Sequence, residues 1–148
     1  MQAKAVKSSP KAANSPVILL VEDEAVVREV TRDVLLHAGY RVLESSNAKE
    51  ALQVAAEHTG EIDLLLTDVV MPEMNGADLA THLEDLQPNL ATVFMSGYAE
   101  SDVAQKLHRR AAVHIQKPFT VAALLARVAQ ALQATSASWT DKEMPVAG

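Results

Sequence analysis

The feature that most constrains this chain is a rhythm of short apolar runs separated by helical patterns. Val17-Ile18-Leu19-Leu20-Val21 has no polar position, the pattern of a strand buried on both faces. Ile62 to Thr67 and Ala91 to Met95 repeat it, and Arg41 to Glu44 and Ala112 to Gln116 are shorter candidates. Between the runs, Val27, Val30 and Val34 recur at helical spacing, and Gly39 stands where that helix would stop. Asn47 caps a second helix carrying Ala48, Ala51, Leu52 and Ala55, with Gly60 after it. Asn75-Gly76 precedes a third with Leu79, Leu83 and Leu86, stopped near Pro88. A shorter fourth runs through Val103 and Leu107. Thr120 caps the fifth, with Val121, Leu124, Leu125, Val128 and Leu132 on one face. Five strands alternating with five helices imply a parallel sheet covered on both faces, because parallel neighbours need crossover connections.

The ends lack this rhythm. Residues 1–16 hold Lys4, Lys7, Lys11 and two Ser-Pro pairs, and read as a flexible leader or linker. Residues 17–134 form the domain, and the polar stretch 135–148 reads as a flexible tail. No cysteine is present, which removes disulfide scaffolds, thiolate zinc sites and thiol nucleophiles. Thirteen basic against nineteen acidic side chains give a net charge of −6, which argues against general nucleic-acid binding. The apolar run near the start is five residues long. A bilayer span needs about 20, and a secretory core segment about 7–15. The expectation is a soluble, cytoplasmic domain without membrane contact.

In a parallel sheet covered by helices, ligands bind outside the carboxyl ends of the strands. Glu22, Asp23 and Glu24 follow the first strand here, and Asp68 follows the third. Ser96-Gly97 follows the fourth and Lys117-Pro118 the fifth. Taken singly, each is ordinary: acids suit the start of a helix, aspartate suits a turn, and most lysines are solvated. Gathered on one edge, the carboxylates repel one another unless a positive charge sits between them. A hard divalent cation with oxygen ligands fits, Mg²⁺ above all. Lys117 adds a second positive charge and Ser96 a hydroxyl donor. Two cationic elements and a donor around Asp68 make a place for a phosphoryl group bonded to that carboxylate. No histidine spacing suggests a metal site.

These segments resemble the receiver domain of two-component response regulators. The resemblance is carried by Ile18-Leu19-Leu20-Val21-Glu22-Asp23-Glu24, by Leu65 through Gly76 with its Asp68, Met71-Pro72 and Gly76, by Phe94-Met95-Ser96-Gly97-Tyr98, and by Gln116-Lys117-Pro118-Phe119. The Met-Ser-Gly-Tyr-Ala-Glu wording is similar to the C-terminal receivers of hybrid histidine kinases. The resemblance implies a flavodoxin-like, doubly wound five-stranded sheet of order 2-1-3-4-5. It implies Asp68 as phosphoacceptor and Asp23 as a direct Mg²⁺ ligand. Glu22 would ligate directly or through water, and the Val70 backbone carbonyl would complete the protein ligands. Ser96 would be the switch hydroxyl and Lys117 the phosphate's ionic partner, with a cis bond before Pro118. Val70 and Tyr98 would modulate hydrolysis of the phosphoaspartate. The donor would be a phosphohistidine on a histidine kinase or histidine phosphotransfer domain. Output would leave through the fourth helix, fifth strand and fifth helix, the same surface serving a homodimer.

Two departures stand out. Glu22 occupies a position where aspartate is commoner in the family, and His114 occupies the secondary switch position usually held by tyrosine or phenylalanine. The implied role is a phosphoacceptor in signalling, not a turnover enzyme. One alternative is a Mg²⁺-dependent aspartyl phosphotransferase or phosphatase, but such sites place a second aspartate where Val70 stands. Another is a receiver-like scaffold that no longer takes phosphate. A nucleotide-binding module would want a glycine-rich loop after the first strand, and none is there.

Overall fold

Each apolar run becomes a strand in the computed structural model, which describes residues 15–97 and 113–143. The strands are β1 (Val17–Val21), β2 (Arg41–Ser45), β3 (Leu64–Asp68), β4 (Ala91–Ser96) and β5 (Val113–Gln116). They form one parallel sheet of order β2-β1-β3-β4-β5, the flavodoxin-like order expected. Described helices are α1 (Ala25–His37), α2 (Ala48–Glu57), α3 (Gly76–Leu86) and α4 (Val121–Glu143), the last being the fifth helix expected from the sequence. The expected helix through Val103 and Leu107 lies outside the described residues.

Successive side chains of a strand point to opposite faces, so the sheet feeds two cores. Val17, Leu19, Val21 and Leu65 pack with Ala51 of α2 and with Leu79 and Leu83 of α3. Ile18, Leu20, Leu64, Leu66 and Met95 pack with Leu35 of α1 and with Leu124 and Val128 of α4. Both faces of β1 and β3 are therefore dry, which is why their sequences carry no alternation. The helices start where polar caps permit. Asn47 Oδ1 accepts from the Glu50 N–H (2.7 Å), Asn75 Oδ1 from the Asp78 N–H (2.8 Å), and Thr120 Oγ1 from the Ala123 N–H (3.0 Å). After α1 the chain turns through Gly39 at φ +100°, a conformation that favours glycine.

Some expectations change. In α1 the inward positions are Thr31 and Leu35, and Val30 is 58% exposed. Thr31 takes the place that an apolar-only reading assigns to Val30, so the buried stripe is rotated around the helix. Leu86 and Val121 are exposed at helix ends rather than buried in their stripes. The last helix runs past Ala134 to Glu143, into the stretch read as a flexible tail. No proline interrupts that stretch before Pro145, so nothing in it breaks the helix outright. At the other end, Ser15 and Pro16 are tied to the sheet rather than loose. The Arg41 guanidinium donates to the Ser15 carbonyl at 2.9 and 3.1 Å, and the Arg41 N–H to the Pro16 carbonyl. Among the described residues, no helix is long and apolar enough to cross a membrane.

Candidate functional site

Because every strand runs the same way, the residues that follow them converge on one edge. Glu22 stands one residue past β1 and is fully buried, while Asp23 beside it is exposed. Asp68 is the last residue of β3 and Ser96 the last of β4, and both are buried. Lys117 follows β5, its N–H donating to the Ser96 carbonyl at 2.7 Å, and its bond to Pro118 is cis. Backbone contacts fix the loop after β3 as well. The Val69 N–H donates to the Met95 carbonyl (3.0 Å), and the Gly76 N–H donates to the Val69 carbonyl (2.7 Å).

The side chains then meet as charges. The Lys117 ammonium lies 2.9 Å from Asp68 Oδ1 and 3.2 Å from Glu22 Oε1. Glu22 Oε2 accepts from the Glu24 N–H at 3.1 Å. Carboxylate oxygens of Glu22, Asp23 and Asp68 all lie within 4.8 Å of one another. Burial pushes the Asp68 carboxyl up to about 7, with Lys117 pulling against it and Glu22 adding to it. Burial opposes the Lys117 ammonium too, but Asp68 and Glu22 outweigh it and hold its pKa above the ordinary lysine value. One lysine serves two buried acids, so the pocket is short of positive charge.

A hard divalent cation fits this donor set. The three carboxylates supply oxygen ligands. Asp68 Oδ2 is buried with no hydrogen-bond partner among the described residues. A buried, unpartnered carboxylate oxygen is costly unless something completes it.

The remaining sequence-derived positions fall around this centre. Val70 stands in the loop after Asp68, its side chain 47% exposed. His114 pairs in register with Phe94, which pairs with Thr67, the neighbour of Asp68. The His114 and Phe94 rings are 5.4 Å apart. Tyr98 lies outside the described residues. Two residues given no role from the sequence belong here. Gly76 packs so closely on β3 that a Cβ would overlap the Asp68 carbonyl oxygen. Arg28 Nη1 donates to the Glu22 carbonyl at 2.8 Å. Gly76 closes the stretch from Leu65 that carries the family resemblance, but nothing in the sequence signals its contact with the Asp68 carbonyl. Arg28 gives no signal beyond being a base one turn into a helix that follows acids.

The sequence pattern of the response regulator receiver domain matches residues 18–129. The chain belongs to that family. This receiver is 37% identical over 131 residues to the sensor kinase CckA of Brucella abortus (strain 2308), covering 88% of this chain and 14% of that protein. It is 33% identical to the phosphate regulon transcriptional regulatory protein PhoB of Pseudomonas aeruginosa, covering 87% of this chain and 56% of that protein. The chain thus spans only part of either relative. Among solved structures, the receiver domain of the hybrid histidine kinase CckA superposes with a TM-score of 0.67 at 36% identity, over 78% of this chain and 98% of that one. A response regulator receiver protein from Sinorhizobium medicae WSM419 gives 0.75 at 27% identity, over 83% and 98%. The receiver is a signalling domain of two-component systems.

Proposed function

We propose that Asp68 accepts a phosphoryl group from a phosphohistidine of a histidine kinase or histidine phosphotransfer domain. The observation that carries this is Asp68 itself, buried at the end of β3 with Lys117 at 2.9 Å and two further acids in the same pocket. In the transfer, an Asp68 oxygen forms a bond to phosphorus as the phosphorus–nitrogen bond breaks. The leaving imidazole keeps that electron pair and takes a proton. Only ionised Asp68 is a nucleophile, and its raised pKa leaves it partly protonated near neutrality unless more positive charge is present. Glu22, Asp23, Asp68 and the Val70 carbonyl are the groups that would hold a Mg²⁺ ion, which supplies charge against the phosphoryl oxygens. Lys117 would grip one of those oxygens and Ser96 would donate to another.

The same edge suits a docking donor. Val26 and Val30 on α1, Val70 in the β3–α3 loop and Val121 at the start of α4 are exposed apolar side chains on segments that begin there. Such a rim excludes water around a transfer between two acidic and basic centres. The signal would leave through β5 and α4. Phosphate can bias that surface only through interactions that differ between the two states, here those of the Ser96 hydroxyl and the Lys117 ammonium. The tilted ring pair of Phe94 and His114 links β4 to β5 on that route. A homodimer through this surface is part of the same reading. So are a cytoplasmic setting and a role as phosphoacceptor rather than turnover enzyme.

The test is modification by a small acyl phosphate, with and without Mg²⁺, read by intact mass. One Mg²⁺-dependent phosphoryl adduct is expected on the wild type and none on Asp68→Asn. An unmodified wild type, or an adduct that persists in Asp68→Asn, overturns the assignment.

A further inference from the structure

We propose that Arg28 is a positioning residue for the acidic pocket, holding the peptide that presents Asp23 beside Asp68. This rests on the reading of Asp68 as phosphoacceptor. Glu22 stands where the β1 ladder gives out. Its N–H still reaches the Ser45 carbonyl of β2 at 3.2 Å, but its carbonyl has left the sheet. Arg28, one turn into α1, turns back and donates Nη1 to that carbonyl at 2.8 Å. Glu44 of β2 holds the guanidinium from the other side, 3.5 Å from Nε, and also pairs with Arg32 at 3.0 Å. The Glu22 side chain is tied as well, to Lys117 and to the Glu24 N–H. Strand β2, helix α1, the end of β5 and the loop itself therefore all converge on this one residue.

Asp23 comes next in the chain and is exposed, so its direction follows from the peptide before it. Like charges within 4.8 Å push it away from Glu22 and Asp68. A fixed Glu22 carbonyl opposes that drift. Arginine suits the task because its planar fork offers Nη1 and Nε in different directions, joining a carbonyl and a carboxylate at once. A lysine ammonium is a point charge and serves one of them well. Groups that orient metal ligands in this way affect affinity without touching the ion.

The experiment titrates Mg²⁺ into the full chain as wild type, Arg28→Ala, Arg28→Lys and Glu44→Gln. It reads binding by calorimetry, the amide signals of residues 22–24 by NMR, and acyl-phosphate modification at saturating Mg²⁺. The Mg²⁺ Kd is expected to rise about tenfold in Arg28→Ala. Arg28→Lys should recover part of that loss and Glu44→Gln should show a smaller one. The amide signals of 22–24 should shift in the metal-free Arg28→Ala protein, and modification at saturating Mg²⁺ should approach the wild-type rate. An unchanged Kd in a folded Arg28→Ala protein overturns the proposal, as does a rate loss that saturating Mg²⁺ does not restore. If Arg28→Ala does not fold, Arg28→Lys decides: a wild-type Kd there refutes the clamp. A wild type that binds Mg²⁺ but is never modified refutes the phosphoacceptor reading instead and leaves the Kd comparison standing.

Discussion

Two aspartates bracket β3, and the sheet treats them in opposite ways. Asp63, just before the strand, accepts from the Val17 N–H at 2.8 Å through Oδ2. Its own N–H reaches the Val17 carbonyl at 2.9 Å, and its carbonyl accepts from the Ala91 N–H at 3.0 Å. Around it, the Ile62 N–H donates to Gln87 Oε1, and Arg41 closes on Ser15. At the other end Asp68 shares one lysine with Glu22, keeps one oxygen without a partner and has its pKa raised. The amino edge uses polar groups to close strands. The carboxyl edge collects like charge that works against folding. Parallel topology explains the division, because it brings every strand end and every following helix start to the same side. Strain or unsatisfied charge that persists in a fold marks a place built for a ligand.

The largest effect expected is at Gly76, which tests how tightly the carboxyl edge is built. A Cβ there would overlap the Asp68 carbonyl oxygen and crowd Thr67 Cγ2. Both obstacles sit on a central strand, so neither yields cheaply. Gly76→Ala should lose about 3 kcal/mol in urea unfolding, the upper range for overpacking. A variant within about 0.5 kcal/mol of wild type would mean that this edge deforms freely.

Next comes the aspartate pair itself, compared in chelator so that no cation masks the charges. Asp68 has a folded pKa of about 7 against an ordinary 3.8. A raised folded pKa means the protonated form is favoured by folding. Its stabilising contribution is complete below the ordinary value and is lost as pH rises through about 7. Asp68→Asn should therefore stabilise the metal-free domain by on the order of 2 kcal/mol at pH 8 and by clearly less at pH 5. Asp63→Asn weakens a charge-assisted bond to Val17 and should cost about 1 kcal/mol at both. Urea denaturation of the two variants at both pH values checks the opposite signs. Two effects of the same sign would dissolve the distinction between the edges.

Much of this layout is legible in the sequence. Strands buried on both faces leave unbroken apolar runs, and a parallel sheet then brings Glu22, Asp23, Asp68, Ser96 and Lys117 to one edge. What stays hidden depends on approach between segments far apart in the chain. Spacing gives Lys117 as a positive charge, but not that it bridges Glu22 and Asp68 together. The closeness of Gly76 to β3 and the reach of Arg28 back to the Glu22 carbonyl leave no periodic trace. Thr31 is polar by composition yet turns inward, so hydropathy alone misplaces the α1 stripe.

A smaller effect should come from Ser45, the last residue of β2. It is buried, and its Oγ has no hydrogen-bond partner among the described residues. Deleting an unpartnered buried hydroxyl removes a desolvation cost at the loss of one atom's packing. Ser45→Ala should raise stability by about 1 kcal/mol. A loss of similar size would show that the hydroxyl is satisfied, and would remove one more unmet polar group from the carboxyl edge.

The smallest effect tests backbone strain on the same edge. Glu73, in the loop after Asp68, has φ +75°, the one non-glycine residue with positive φ among those described. Asparagine enters that region several-fold more readily than most side chains, because its short amide bonds locally to the backbone. Glu73 is exposed, so the exchange disturbs little packing. Glu73→Asn should stabilise the domain by about 0.5 kcal/mol. It also removes one negative charge from the loop that leads out of the acidic pocket, so the gain has two sources. Glu73→Gln separates them, since it removes the charge and keeps a long side chain at the same φ. A gain in Glu73→Asn that exceeds the one in Glu73→Gln assigns the difference to the backbone. Equal gains in both would mean that charge, not conformation, is what this edge holds in excess.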